Sequence, residues 1–101
     1  MEPPYSFEPG ALYVIQVLEG GRWVTKSRGK PTLRRMQNFL KIMDKADTCR
    51  VRKRLPNGVW FGACMASDHY AFVKAAVKYL KECKINKVKP KASVHSFGRQ
   101  G

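Results

Sequence analysis

A chain of 101 residues has room for one modest hydrophobic core and not for two independent ones. Its 20 Lys plus Arg against 7 Asp plus Glu set a formal charge of +13 and a pI near 10.1, which points to a polyanionic partner, while a hydrophobic share of 44% excludes a disordered basic tail. No apolar run approaches the roughly 18 residues of a membrane-spanning helix, and three cysteines without C-x-x-C spacing, Cys49, Cys64 and Cys83, fit reduced thiols in a cytoplasmic protein better than a disulfide framework or a zinc site.

Residues 1–10, with three prolines and no Lys or Arg, read as an N-terminal arm. Next comes a hairpin closed by Gly20-Gly21, a pair that tolerates the positive φ of a two-residue type I′ turn. Arg28 and Lys30 fall in the connection to a helix that starts at Thr32, an N-cap following Pro31. Its apolar stripe is Leu33, Met36, Phe39, Leu40 and Met43, with Arg34, Asn38, Lys41 and Lys45 on the opposite side.

A second hairpin follows in "RVRKRLPNGVWF", residues 50–61, with Asn57-Gly58 read as another two-residue turn. A second helix follows Ser67, a candidate N-cap, with the stripe Tyr70, Val73, Ala76, Val77 and Leu80. Residues 84–101 carry five Lys plus Arg and no acid, and read as a basic C-terminal tail.

Shifting the chain by 37 positions lays Val14, Leu18, Gly21 and Trp23 on Val51, Leu55, Gly58 and Trp60, and the first helix stripe on the second. The expected fold is therefore an α+β, two-layer ββαββα pseudo-repeat, 11–46 and 47–83, within one domain of residues 11–83. A lone hairpin and helix cannot bury its apolar face, so the halves should share a four-stranded antiparallel sheet with both helices on one face. In topology the hairpin-then-helix unit, with its glycine turn and a Trp in the second strand, resembles the arm-type DNA-binding modules of phage integrases. Their usual third strand is not evident, and a likeness of fold does not establish function.

With two-residue turns, opposed residues share a face. Leu55 then opposes Trp60 and Arg54 opposes Phe61, which sends Cys49, Val51, Leu55 and Trp60 toward the helices and Arg50, Arg52, Arg54, Val59 and Phe61 away from them. Lys53 is the misfit on the helix side, expected to reach past the sheet edge. The same phase in the first hairpin puts Leu18 and Trp23 in the core and Tyr13, Ile15, Val17 and Val24 on the far face. That face would be half apolar and half arginine, and needs a cover: an arm through Tyr5, Phe7 or Phe97, a second copy of the chain as a homodimer, or a partner.

Scattered carboxylates at turns and helix ends, and Cys64 near His69 without further ligand spacing, do not assemble a catalytic or metal site. The expectation is a non-enzymatic protein with no cofactor and no metal. It is expected to bind nucleic acid, DNA or RNA, through Arg50, Arg52, Arg54 and Phe61, with Arg28, Lys30, Arg34, Lys41, Lys45 and the tail adding charge. The alternative is a small phage-type inhibitor or adaptor for an acidic protein surface, using Tyr13, Ile15, Val17 and Val24 beside the arginines, because Arg forks meet carboxylates as well as phosphates.

Overall fold

The computed structural model describes residues 2–54, 57–58, 60–62 and 69–93, with residues 60–62 described by their backbone alone. The elements run β1 (Leu12–Glu19), β2 (Arg22–Gly29), α1 (Leu33–Lys45), β3 (Cys49–Arg54), β4 (Trp60–Gly62) and α2 (His69–Asn86). The class is α+β, with two helices and an antiparallel sheet. Strands β2, β1 and β3 lie side by side in that order, and the three-residue β4 pairs with the outer edge of β3.

The first hairpin closes as its glycines require. Gly20 and Gly21 have φ of 58° and 78°, and Glu19 pairs with Arg22 and Leu18 with Trp23. These positive φ values at both central positions define a type I′ turn, whose twist matches that of the flanking strands. Farther along, the register shifts between Ile15 and Gln16. Ile15 pairs with Ser27 and Gln16 with Thr25, which leaves Lys26 as an extra residue in β2. Beyond this bulge β2 continues to Gly29, so Arg28 is a strand residue and not, as expected, part of the connection to the helix.

Helix α1 begins where Thr32 Oγ1 accepts from the Arg35 N–H at 3.2 Å. Met36, Phe39 and Met43 are buried, and Leu33 and Leu40 pack at the margin of the core. On α2 the expected Val73, Ala76, Val77 and Leu80 are buried, but burial extends to His69, Phe72, Tyr79 and Cys83. Tyr70, expected in the stripe, is 45% exposed and donates its hydroxyl to Asp44 Oδ1 at 3.4 Å. The N-cap expected at Ser67 lies outside the described residues.

The sheet presents to the helices the side opposite to that expected for β1. Ile15 pairs with Val51 and Tyr13 with Lys53, and Tyr13, Ile15 and Val51 are all fully buried. The Tyr13 ring stacks on Phe72 of α2 at 6.0 Å. Val17, paired with both Val24 and Cys49, is buried too. The expected far-face placement of Tyr13, Ile15, Val17 and Val24 is therefore corrected: pairing with β3 ties the odd residues of β1 to Val51, and Val51 faces the helices.

The N-terminal arm also joins this side. Phe7 is fully buried, edge-on to Tyr79 at 5.5 Å, and its carbonyl accepts from the Ser93 N–H at 2.9 Å. The arm thus extends the core between sheet and helices through Phe7, while Tyr5 stays largely exposed. Phe97, the remaining expected cover, lies outside the described residues.

Candidate nucleic-acid interface

Lys53 resolves the misfit in the basic hairpin. Its side chain does not reach past the edge but is fully buried, and Nζ donates at 2.7 Å to both the carbonyl and the hydroxyl of Ser6. Glu8 Oε1 also lies 2.7 Å away, as an ion pair without the geometry of an in-line hydrogen bond. Around them, the Tyr13 hydroxyl accepts from the Glu8 N–H at 2.9 Å and donates to the Ser6 carbonyl at 3.4 Å. A charge removed from water is tolerated when paired and hydrogen-bonded in this way. Lys53 belongs to the scaffold.

The other cations of β3 alternate to the opposite face, as a period of two demands. Three cross-strand rows build it: Thr25, Gln16 and Arg50; then Arg28, Val14, Arg52 and Gly62; then Leu12, Arg54 and Trp60. The bulge after Thr25 brings Arg28 into the second row, so an arginine expected in a loop is aligned through Val14 with Arg52. Val14 itself is only 5% exposed.

At one end of this face the side chains form a connected set. The Arg50 Nε donates to Gln16 Oε1 at 2.8 Å, and Gln16 Nε2 donates to Thr25 Oγ1 at 3.1 Å. The Arg50 guanidinium carbon sits 4.1 Å from the centre of the Trp23 ring, a cation–π contact. Burial, and secondarily the charge of Arg52, draw the Arg50 guanidinium below its ordinary pKa. Leu18 and Trp23 close this end with 40% and 38% of their surfaces exposed. The expectation that they fill the core is corrected, since they share the phase of Gln16 and Arg50.

The pairing of β4 differs by one residue from that expected. Trp60 stands opposite Arg54, Phe61 opposite Lys53, and Gly62 opposite Arg52. Arg54 and Trp60 are thus paired across five intervening residues, a register different from that of a two-residue Asn57-Gly58 turn, although Gly58 keeps a positive φ of 89°. Trp60, not Phe61, takes the register position beside the arginines. Leu55 and Val59 lie outside the described residues.

The remaining expected cations sit elsewhere. Arg34, Lys41 and Lys45 are exposed on α1, and Arg34 and Lys41 line an open cleft against β2 with Ser27, Thr32, Arg35 and Asn38. Lys30 is exposed after β2, and its carbonyl accepts from Arg35 Nη1 at 3.0 Å. The structure unites Arg28, Arg50, Arg52 and Arg54 on one sheet face and leaves the α1 cations around the β2 edge. Sequence reading missed Gln16, Thr25 and Trp23 as parts of that face; the signal for Trp23 was its pairing with Leu18, assigned to the wrong side.

Among the described residues no three of His, Cys, Asp and Glu come together as metal ligands. No described helix is long and apolar enough to cross a membrane. Compared with protein-family models, with curated proteins and with solved structures, the chain matches none.

Proposed function

We propose that this is a non-enzymatic nucleic-acid-binding protein whose main contact surface is the sheet face bearing Arg28, Arg50, Arg52 and Arg54. The observation that carries the reading is the alignment of Arg28 with Arg52 across β1, beside Arg50 and Arg54 on β3. A formal charge of +13 supports it, as do Arg34, Lys41 and Lys45 on α1, which extend the field past the β2 edge. Arginine forks on a broad surface suit phosphate oxygens.

An acidic protein surface would also meet these forks. The apolar patch expected to accompany such a partner, Tyr13, Ile15 and Val17, is instead in the core, so nucleic acid is the reading favoured. A second copy laid face to face would oppose arginine to arginine, which disfavours a dimer through this face. The order β2-β1-β3-β4, with the first strand of each half at the centre, supports reading the two halves as a repeat in a four-stranded sheet.

The test is a polarisation titration with labelled DNA and RNA across a salt series. Affinity should fall on a log–log plot with a slope of about 0.9 per phosphate contact on duplex DNA and about 0.7 on single strands. The double substitution Arg52→Glu, Arg54→Glu should weaken binding strongly while unfolding stays cooperative. No binding at the lowest salt overturns the proposal.

A further inference from the structure

Resting on the nucleic-acid reading, we infer that the sheet face takes single-stranded nucleic acid, with a base stacking at the Trp23–Arg50 end and phosphates meeting Arg28, Arg52 and Arg54. The first argument is geometric. Duplex readout through the major groove needs a helix or a two-stranded ribbon that enters a channel about 12 Å wide. Arg52 and Arg54 lie instead in the body of the sheet, with β1 on one side and β4 on the other. Strands about 4.8 Å apart make this sheet wider than the two-stranded ribbon that fits the groove, and its face can receive an extended chain.

The second argument is chemical. Trp23 and Leu18 end the face with 38% and 40% exposure, and a duplex, which shows phosphates outside and stacks its bases on one another, offers that surface no open base face. Unpaired bases do, because every base has a π-face for an aromatic ring or a guanidinium plane.

Preorganisation is the third argument. Arg50 is held from one side by Gln16, itself tied to Thr25, and lies over Trp23. Its rotamer freedom is lost on folding and not on binding. Arg52 and Arg54 follow at two-residue steps of about 6.8 Å along the strand, which places charge beside the stacking end along one line.

The experiment compares one labelled 12-nucleotide sequence as DNA single strand, RNA single strand and DNA duplex at a single salt concentration, a length of about the site sizes of single-strand binders. Single strands should bind at least about tenfold more tightly than the duplex, and Trp23 emission, read in a Trp60→Phe background, should be quenched on binding. Trp23→Leu should lower single-strand affinity by about tenfold, within the range for loss of one stacked base, and Trp23→Phe should restore part of it, with far-UV circular dichroism reporting the fold of each. Duplex binding as tight as single-strand binding, or bound Trp23 without quenching, overturns the inference and leaves the nucleic-acid reading standing. Binding of neither form overturns both.

Discussion

Lys53 and Arg52 are neighbours in one basic run, carry the same charge, and end in opposite environments. Lys53 is wholly buried, satisfied by Ser6 and Glu8 of the N-terminal arm. Arg52 lies half-buried on the far side of the sheet, in the row that Arg28 joins. A run of cations is therefore not one patch. Alternation on a strand sends successive charges to different solvents, and the two faces should respond to mutation in opposite ways: one through stability, the other through binding.

The largest effect should come from the buried side. Lys53→Ala leaves Ser6 and Glu8 without their cation and opens a gap in the arm contact, so urea unfolding should show a loss of about 3–5 kcal/mol, the range for breaking a buried pair. Since Glu8 keeps 27% of its side chain exposed and can rehydrate, the lower end is expected. A loss below about 0.5 kcal/mol, the level of an ordinary surface change, would mean that the run does not divide as described.

Next in size is His69→Ala. The imidazole Nδ1 accepts from the Val51 N–H at 3.1 Å, within β3 and beyond the last paired residue of β4. Removing it leaves a buried donor unsatisfied, at a cost of about 1–3 kcal/mol. Hydrogen exchange at the Val51 amide checks this directly and should accelerate.

Alkaline pH should produce a smaller change, also confined to the core side. Burial raises the Tyr79 phenol above its ordinary value, against a smaller lowering from the Lys91 N–H, and burial raises the Cys49 thiol. A raised folded value means that the neutral form is favoured in the fold. The stabilisation is full below the ordinary values, near about 8.5 for a thiol and about 10 for a phenol, and is lost as pH rises through the folded ones. Chemical denaturation midpoints should therefore decline with pH above that range, and a rising midpoint would reverse the assignment.

The smallest effect on stability belongs to the open face. Arg52→Gln should change stability by less than about 0.5 kcal/mol while lowering nucleic-acid affinity and reducing the salt slope by about one contact's share. A stability loss equal to that of Lys53→Ala would erase the distinction between the faces.

Much of the local structure was legible in residues. Gly20-Gly21, Thr32 and the stripe Met36, Phe39, Met43 act through neighbours within one turn, and each does what its chemistry dictates. The face of β1 was not legible, because its odd and even positions are both apolar: Tyr13, Ile15 and Val17 against Leu12, Val14 and Leu18. Hydropathy alternation cannot choose between two apolar phases. Arg50, Arg52 and Arg54 were correctly assigned to one side because Cys49 and Val51, which alternate with them, mark the other. Phe61 and Arg28 were misplaced by single residues, through a shifted pairing in one case and a bulge in the other.

By itself, then, the sequence determined the α+β class, the element order, the first turn and the one-sided row on β3, all set by interactions a few residues apart. Only the tertiary structure decided that Phe7 completes the core, that Lys53 is buried, and that Arg28, Gln16 and Trp23 stand beside Arg50 and Arg52. Those outcomes depend on which strands pair and in what register, and a shift of one residue exchanges the faces of a strand. Such a choice is made by the packing of distant segments against one another, as where Lys53 meets Ser6 across 47 positions of sequence.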